Sequence, residues 1–381
     1  MQVSSSRRWI LFYFCAANIL VSFNISALTA VIPAISRSLN ISANDAAGII
    51  PYYMIPYGIG ALLFAPLASR FSIKLLMMMA LLLYTAGNLL SLWVDSLPII
   101  LTGRVISGLG ASAVTPLALM TLGKVFEKEI RGRVLGIFFS CSFFGAMLGL
   151  MLSGVAPWHW LFAVPIVLGV ILFCLFFACP SQGMEANRAI KVNYLEAINI
   201  SGLRRLLIFI FLMSLFFHGV CKWYGVFLDR VYDYNQITIS ALIILTALTA
   251  AIGQLVAGVI TDKWGRIKAC YIGIIIISIF IMALWGKYSL LGIGFILSMI
   301  SVGWTIAHNG VSTLLTDFPD TYRSELAGLN SSVRFLSGGI GFWLSGSFME
   351  SNFGLTFFVI GALMLSLIFF IPSLVVERKE N

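Results

Sequence analysis

Long apolar runs recur along the whole chain and constrain its fold more than any other feature. Of the 381 residues, 60% are hydrophobic and only 10% are charged, whereas a typical soluble domain has about 25% charged residues. A soluble core cannot bury so much apolar surface, so part of it must face lipid. Twelve helices of about 23 residues would use roughly 276 positions and leave no room for a soluble catalytic domain. The composition therefore excludes soluble enzymes, DNA-binding proteins and secreted disulfide scaffolds.

Apolar runs bounded by charged or turn-forming residues predict twelve membrane-spanning helices. Their approximate limits are 9–36, 46–69, 74–94, 97–122, 133–157, 160–180, 204–229, 237–261, 268–286, 289–317, 324–348 and 354–376. With this assignment eighteen of the 24 lysines and arginines lie on the side of the N-terminus, and Arg37, Arg230 and Lys287 lie on the other. Because basic loops stay in the cytoplasm, we expect both termini on the cytoplasmic side of a bacterial cytoplasmic membrane.

Two loop sequences occur once in each half of the chain. The loop at 65–74 corresponds to the loop at 258–268, with Ala65, Ser69 and Ser72 opposite Gly258, Asp262 and Gly265 at an offset of 193. Residues 131–136 correspond to 323–328 at an offset of 192. Two loops with nearly one offset predict a duplicated six-helix unit. We therefore expect an all-α membrane protein with twelve transmembrane helices in two pseudo-symmetric six-helix bundles. The expected domains are an N-terminal bundle at 1–180, a cytoplasmic linker at 181–203 and a C-terminal bundle at 204–381.

The loop at 258–268 resembles the signature of the major facilitator superfamily, Gly-x-Leu-x-Asp-Arg-x-Gly-Arg-Arg/Lys. This second-half copy has Asp262 at the acidic position, whereas the first-half copy has Ser69 there. The segment that begins at Arg104 is similar to the family's Arg-x-x-Gln-Gly-x-Gly-Ala, with Ser107 at the glutamine position. The resemblance covers the whole chain. It implies a secondary transporter that rocks two six-helix halves about a central site, with spans one, four, seven and ten lining the cavity.

Two shorter segments resemble the drug/proton antiporter branch of that superfamily. They are Ile-Pro-Ala-Ile at 32–35 and Trp-His-Trp-Leu-Phe at 158–162. That branch also has a Gly-Pro signature in span five, and the corresponding segment 145–149 contains no proline. Because of the two matching segments, a multidrug/proton efflux antiporter is an alternative to a transporter of organic anions.

The two repeated loops predict a gate on the cytoplasmic side. Glycine lets a loop turn tightly, an aspartate is favoured at a neighbouring helix N-terminus, and arginines can pair with acids or lipid phosphates. The expected gating residues are Asp262, Gly258, Gly265, Arg266, Lys268, Arg131, Arg133 and Arg323. We expect Asp262 to act as a latch when the halves approach, and we expect no such role for the uncharged Ser69.

Polar side chains within the spans provide the candidate substrate site, because ionisable groups in lipid usually face the bundle interior or a wet cavity. The candidates are Arg334, Lys222, Arg104, His218, His308, Asn18, Ser22, Asn309 and Asn330. Arg334 lies near the middle of its span, and His218 and Lys222 share one helix face. Other interpretations remain open: Arg104 and Lys222 could snorkel to the headgroups, the histidines could be neutral core residues, and Asn18 and Ser22 could join helices.

The charge of these candidate residues indicates the charge of the substrate. Arg104, Lys222 and Arg334 are cations, and no Asp or Glu lies in the core of any span. A positive cavity favours an anion, whereas a pump for cationic drugs needs an internal acid. Proton coupling, if present, falls to His218 or His308, whose ordinary pKa is about 6.5. We expect export of a small organic anion, with uptake as a close second.

Other functions lack their sequence signatures. The six cysteines lie in apolar runs without a Cys-x-x-Cys pair, and we expect no disulfide, metal or cofactor. A Gly-x-x-x-x-Gly-Lys-Ser/Thr loop is absent, as are His-Glu-x-x-His and paired intramembrane aspartates, which argues against ATP drive and against an embedded enzyme. A non-transporting membrane receptor remains a further alternative. The expected partners are a small-molecule substrate, the lipid bilayer and, with coupling, protons; we expect a monomer and no nucleic acid.

Overall fold

The computed structural model describes residues 5–93, 96–178, 184–186 and 192–374. In these residues the only regular structure is helical. The α-helices are α1 Ser5–Ala30, α2 Ile32–Leu39, α3 Ala43–Ala47, α4 Pro51–Arg70, α5 Ile73–Trp93, α6 Leu97–Ala111, α7 Val114–Val125, α8 Lys128–Val155, α9 Trp160–Ala178, α10 Tyr194–Ile198, α11 Leu203–Cys221, α12 Tyr224–Tyr232, α13 Gln236–Trp264, α14 Arg266–Ala283, α15 Leu290–Leu314, α16 Arg323–Ser351 and α17 Phe353–Ser366. Short 3-10 turns follow α15 and α17.

The helices lie within or close to the predicted spans, except that the predicted ends at 94, 179–180 and 375–376 lie outside the described residues. Ten helical segments of the described chain are long and apolar enough to cross a membrane, and Phe353–Phe369 is a shorter apolar helix. Helix α16 is not among the ten, although its 29 residues are long enough to cross. Its composition explains this, because Arg334 and several glycines and serines lower its hydropathy.

Four spans contain a break where one helix ends and the next begins. Proline explains two of them: Pro33 lies in the first turn of α2, and Pro51 begins α4. Proline has no backbone N–H and is therefore favoured in the first turn of a helix. Asparagine and serine side chains cap several other helix starts, as when Asn235 accepts a hydrogen bond from the backbone N–H of Thr238.

The breaks follow the sequence repeat. Helix α1 ends next to Val31, and α11 ends next to Lys222, which is close to one repeat later. The helices after these breaks end alike. Asn40 and Asp233 are the non-glycine residues of the described chain with positive φ, 51° and 54°, and each ends its helix in the left-handed conformation. Such a local backbone feature, repeated at one offset, supports the duplicated unit.

The packing partners repeat as well. In residues 5–178, here called the N-half, α1 packs on α8 and α9, α4 packs on α6, and α5 packs on α6 and α9. In residues 203–374, the C-half, α11 packs on α16 and α17, α13 packs on α15, and α14 packs on α15 and α17. Between the halves, α4 packs on α16 and α8 packs on α13.

The two halves meet differently at the two ends of the bundle. We call the end where α1 begins the terminal face and the other end the opposite face. At the opposite face, Gln236 Nε2 donates to Ala30 O at 3.1 Å, and the backbone N–H of Asn44 donates to Glu350 at 3.2 Å. At the terminal face, a Cβ added to Gly136 or Gly258 would meet no atom within 4 Å. The structure is therefore closed at the opposite face.

Candidate central binding site

Small residues bring α11 and α16 close together at the centre of the C-half. A Cβ added to Gly219 would lie 3.1 Å from the carbonyl oxygen of Gly341. One and a half turns before Gly219, the Ser214 hydroxyl donates to the carbonyl oxygen of Arg334 at 2.9 Å. This contact fixes the backbone from which the Arg334 side chain extends.

The Arg334 guanidinium lies against an imidazole and not against a carboxylate. Arg334 Nη1 is 2.7 Å from His308 Nε2, which joins α16 to α15. A guanidinium has N–H donors and no acceptor. His308 must therefore present the lone pair of Nε2, which makes the imidazole neutral with its proton on Nδ1. Both side chains remain partly exposed although helices surround them.

Aromatic rings support this pair from both halves. Trp304 stacks on Phe217 with ring centroids 4.0 Å apart and lies 5.5 Å from the His308 ring. From the N-half, Tyr57 stacks on Phe335, the residue after Arg334, at 3.8 Å. The packed rings hold the imidazole in place and bring the boundary between the halves next to the guanidinium.

His218 and Lys222 continue the polar face of α11 toward the opposite face. His218 Nδ1 is 3.0 Å from the carbonyl oxygen of Ser214 and donates to it. Lys222 is partly exposed, and its ammonium has no hydrogen-bond or ion-pair partner among the described residues. At 1.5 Å per residue, Lys222 lies about 12 Å beyond Ser214 along the helix axis. It therefore extends the positive region without touching the Arg334 pair.

Two predicted site residues are instead engaged in packing the N-half. Asn18 is 4% exposed and donates to the carbonyl oxygen of Phe138 at 2.7 Å. Arg104 is 1% exposed, and its Nε donates to Ile49 O at 3.0 Å. The Arg104 guanidinium also lies 4.1 Å from the centre of the Tyr53 ring, a cation–π contact. The structure does not bring either residue together with Arg334.

The remaining polar candidates differ in their surroundings. Asn330 is one turn before Arg334 on α16 and is partly exposed, so it shares the Arg334 face. Ser22 is partly exposed on α1. Asn309 accepts a hydrogen bond from Thr261 at 2.9 Å and thereby ties α15 to α13. The site also contains Trp304, four residues before His308, a spacing that could have indicated it from the sequence.

The predicted latch residue is unpaired in this conformation. Asp262 is exposed and has no ion-pair partner in the described part of the chain. Arg266 instead forms an ion pair with Asp317 of the same half, which joins the start of α14 to the end of α15. Gly265, which separates α13 from α14, has φ 89° and ψ 157°. This conformation is essentially limited to glycine.

The other predicted gating residues lie around the same face. Arg131 donates to the carbonyl oxygen of Phe126 at 3.2 Å and so provides a hydrogen-bond donor for the residue that ends α7. Arg133 and Lys268 are exposed. Arg323 begins α16, but its side chain lies outside the described residues.

An ion pair across the halves closes the opposite face. Arg37 Nη1 lies 2.9 Å and 3.2 Å from the two carboxylate oxygens of Asp229. The two residues are 192 positions apart. Because Asn40 corresponds to Asp233 at an offset of 193, Arg37 corresponds to Arg230, and Asp229 lies one position before that equivalent. The pair therefore joins nearly equivalent positions of the two units with opposite charge. The predicted span limits of 36 and 229 place Arg37 and Asp229 at the ends of spans, but no sequence pattern pairs them.

The segment after residue 191 is anchored to the C-half at the terminal face. Glu325 is 3% exposed and accepts a hydrogen bond from the backbone N–H of Asn193 at 3.0 Å. Burial, with the nearby Glu325 carboxylate, raises the pKa of Tyr194 to about 12. Tyr322 donates to Glu196 at 2.6 Å, and this hydrogen bond raises the pKa of Tyr322. The end of the linker thus follows the C-half.

Comparisons with known sequences agree with the motifs. A sequence model of the Major Facilitator Superfamily matches residues 14–342. A putative multidrug resistance protein, MdtD, of Pectobacterium carotovorum subsp. carotovorum is 25% identical over 193 residues, which is 49% of this chain and 41% of that protein. An uncharacterized MFS-type transporter of Bacillus subtilis, YwfA, is 21% identical over 314 residues, or 78% of this chain and 75% of that protein. The match to MdtD thus spans less than half of that relative's length.

Solved structures share the whole fold. A D-xylose-proton symporter superposes with a TM-score of 0.79 at 16% identity, covering 98% of this chain and 99% of that chain. The human organic anion transporter MFSD10 (TETRAN) gives a TM-score of 0.71 at 13% identity, covering 97% and 100%. These identities show the fold alone. Because the family match covers most of the chain, the protein belongs to the Major Facilitator Superfamily, and it is a multi-pass membrane transporter and not an enzyme.

Proposed function

We propose that the protein is a twelve-helix secondary transporter that moves a small organic anion across the cytoplasmic membrane by alternating access. The matching helix neighbours in the two halves support a layout of two six-helix bundles, with α16 and α17 as the last two spans. We propose that the N-half belongs to a bundle at 1–180 and the C-half to a bundle at 204–381, whose outermost residues lie outside the described chain. The lysine and arginine distribution supports cytoplasmic termini, and we propose a monomer surrounded by lipid.

The observation that carries the proposal is the state of the cations in the C-half. Arg334 is held by the neutral His308, and Lys222 has no partner among the described residues. A cation within a membrane span normally pairs with a carboxylate, because an unpaired charge is costly there. At a separation of 4 Å and an effective dielectric of 20, an anion would gain about 4 kcal/mol from one such charge. An anionic substrate supplies the missing counter-ion.

The closed opposite face supports alternating access. To open that face, the protein must break the Arg37–Asp229 pair and the hydrogen bond from Gln236 to Ala30. In the state with a closed terminal face, we propose that Asp262 forms the contact that it lacks here. The cycle would then exchange one set of contacts across the halves for another.

The second candidate is a multidrug/proton efflux antiporter, which the name of the MdtD relatives favours. A binding site for cations would require a carboxylate near the centre of the bundle. The described carboxylates of α4, α11, α15 and α16 lie only at the two ends of α16, at Glu325 and Glu350. The charge of the site therefore supports the anion over the cationic drug. A receptor that binds the anion without transport is the third possibility, and solute flux in proteoliposomes excludes or establishes it.

A binding screen of the purified protein tests the proposal. We expect thermal stabilisation by at least one of three anions (benzoate, succinate and inorganic phosphate), and none by tetraphenylphosphonium, ethidium or glucose. Arg133→Gln, which removes an exposed cation near the start of α8, serves as the charge-matched control and should respond like the wild type. Stabilisation by the cations, with none by the anions, would contradict the anion site and favour the antiporter.

A further inference from the structure

The Arg334–His308 pair also bears on coupling. From its geometry we infer that His308 Nε2 is the proton site of the transporter, and that one proton and one anionic group bind together and move in the same direction. This inference rests on the proposed function, since it takes the anion to bind Arg334. It assigns proton coupling to His308 instead of His218, and it states that the proton and the anion move in the same direction.

In the empty site, the proton and the guanidinium exclude each other. His308 Nε2 accepts from Arg334 Nη1 at 2.7 Å, so this nitrogen has no room for a proton while the pair is intact. Protonation would end the hydrogen bond and place two positive groups in direct contact. An empty carrier therefore resists protonation at His308.

An anion at Arg334 reverses this relation. A carboxylate binds a guanidinium through two parallel N–H···O bonds, so it takes Nη1 away from the imidazole. His308 Nε2 is then free beside a negative charge. It takes a proton from hydronium of the bulk solvent, which breaks one O–H bond and leaves a neutral water molecule. The Nδ1 proton stays in place, and the new Nε2–H donates to the carboxylate. Each ligand therefore strengthens the binding of the other, which is positive linkage.

Among the described residues, the groups around this site leave the substrate as the counter-ion. Arg334 on α16 and His218 on α11 are near His308, Lys222 is next to His218, and Tyr57 on α4 is next to Arg334. None of them is an acid that is ionised at neutral pH. In an antiporter for cations, the proton and the substrate compete for one carboxylate, and the described middle of this site contains none. The charge balance thus favours co-transport over exchange.

His218 lacks the geometry for this role. Its Nδ1 donates to the carbonyl oxygen of Ser214 within its own helix, at 3.0 Å, and its ring meets Trp304 edge to face. It shares no hydrogen bond with Arg334 in the described structure. Anion binding at Arg334 therefore does not free a nitrogen of His218, which makes His218 the matched control for His308.

Co-transport has a direct consequence for the direction of flux. An inward proton gradient would draw the anion into the cell, so this coupling favours uptake over the export that we expected from the sequence. The two directions share one binding site and differ in the sign of proton movement. Proton movement is therefore the quantity to measure.

The test uses the full-length protein with benzoate, succinate and inorganic phosphate. Their affinities are measured between pH 5.5 and 8.5 and corrected for the titration of succinate and phosphate themselves. We expect the dissociation constant of the bound anion to fall by up to about tenfold per unit decrease in pH. The His308→Gln variant, which keeps an acceptor for Arg334 but does not titrate, should bind with an affinity that varies less than about twofold over this range. His218→Gln should keep the wild-type slope.

A second measurement on wild-type protein avoids variants that fail to fold. When the anion is added outside proteoliposomes that contain the dye pyranine, we expect the interior to become more acidic. Alkalinisation would establish exchange and overturn the inference, as would pH-independent binding of the anion by the wild type or an unchanged slope in folded His308→Gln. If none of the three anions binds at any pH, the proposed function fails and the inference fails with it.

Discussion

The Arg37–Asp229 pair allows a sharp test of the gate. Replacing Asp229 with Asn removes one charge of a pair that joins the two halves at the opposite face. The Arg37 side chain is 63% exposed and that of Asp229 is 21% exposed, so water screens the interaction. Exposed pairs of this kind contribute about 0.2–1 kcal/mol. The loss should therefore raise the ratio of open to closed opposite-face states by about 1.4- to 5-fold.

Distances between spin labels at Tyr52 and Ile237 would report this shift, because both residues are exposed at the opposite face, one in each half. Arg7→Gln is the matched control, since its 3.4 Å pair with Glu127 lies within the N-half at the terminal face. The exchange of both residues, Arg37→Asp with Asp229→Arg, should restore the closed state. An equal shift in Arg7→Gln, or none in Asp229→Asn, would refute the assignment of the latch.

Three further predictions concern residues outside the central site. Asp262→Asn should favour the conformation described here, with little effect from Ser69→Ala; equal effects on spin-label distances at the terminal face would count against an Asp262 latch. Arg104→Gln should lower the melting temperature but leave anion affinity within about twofold, because Arg104 bonds to the backbone of the N-half; a large loss of affinity in folded protein would return Arg104 to the site. The folded state favours neutral Tyr194, so its contribution to stability should persist below about pH 10 and be lost between about pH 10 and 12. The ultraviolet difference spectrum between wild type and Tyr194→Phe should therefore show one tyrosinate with a pKa of about 12, and a pKa near 10 would contradict the buried linker contact.

Local patterns were sufficient to predict the helices. A run of about twenty apolar residues has few alternatives to a membrane helix, because lipid offers no partners for backbone N–H and C=O groups. The repeat of the loops at 65–74 and 258–268 also indicated the duplicated unit, which the equivalent backbone conformations of Asn40 and Asp233 support. These features depend on neighbours in the chain, and sequence patterns report such neighbours directly.

Contacts between distant helices could not be predicted in the same way. The spacing of polar residues on α1 indicated a shared face but not that Phe138 O lies opposite Asn18. Likewise, Arg334 and His308 belong to different helices. Only the placement of α15 and α16 within the C-half brings Arg334 Nη1 to His308 Nε2. Position within a span shows that a polar group needs a partner, and the partner itself depends on the tertiary packing.

The most direct test of the anion site is the affinity of folded Arg334 variants for the anion that stabilises the wild type. Loss of a buried charge-assisted contact costs about 2–5 kcal/mol, so Arg334→Gln should weaken binding by roughly 30- to 4,000-fold. Arg334→Lys should also weaken binding although it keeps the charge, because lysine cannot form two parallel hydrogen bonds to one carboxylate. Monodisperse elution and a retained helical spectrum would establish that both variants fold. An unchanged affinity in folded Arg334→Gln would contradict the account and leave Arg334 with a purely structural role.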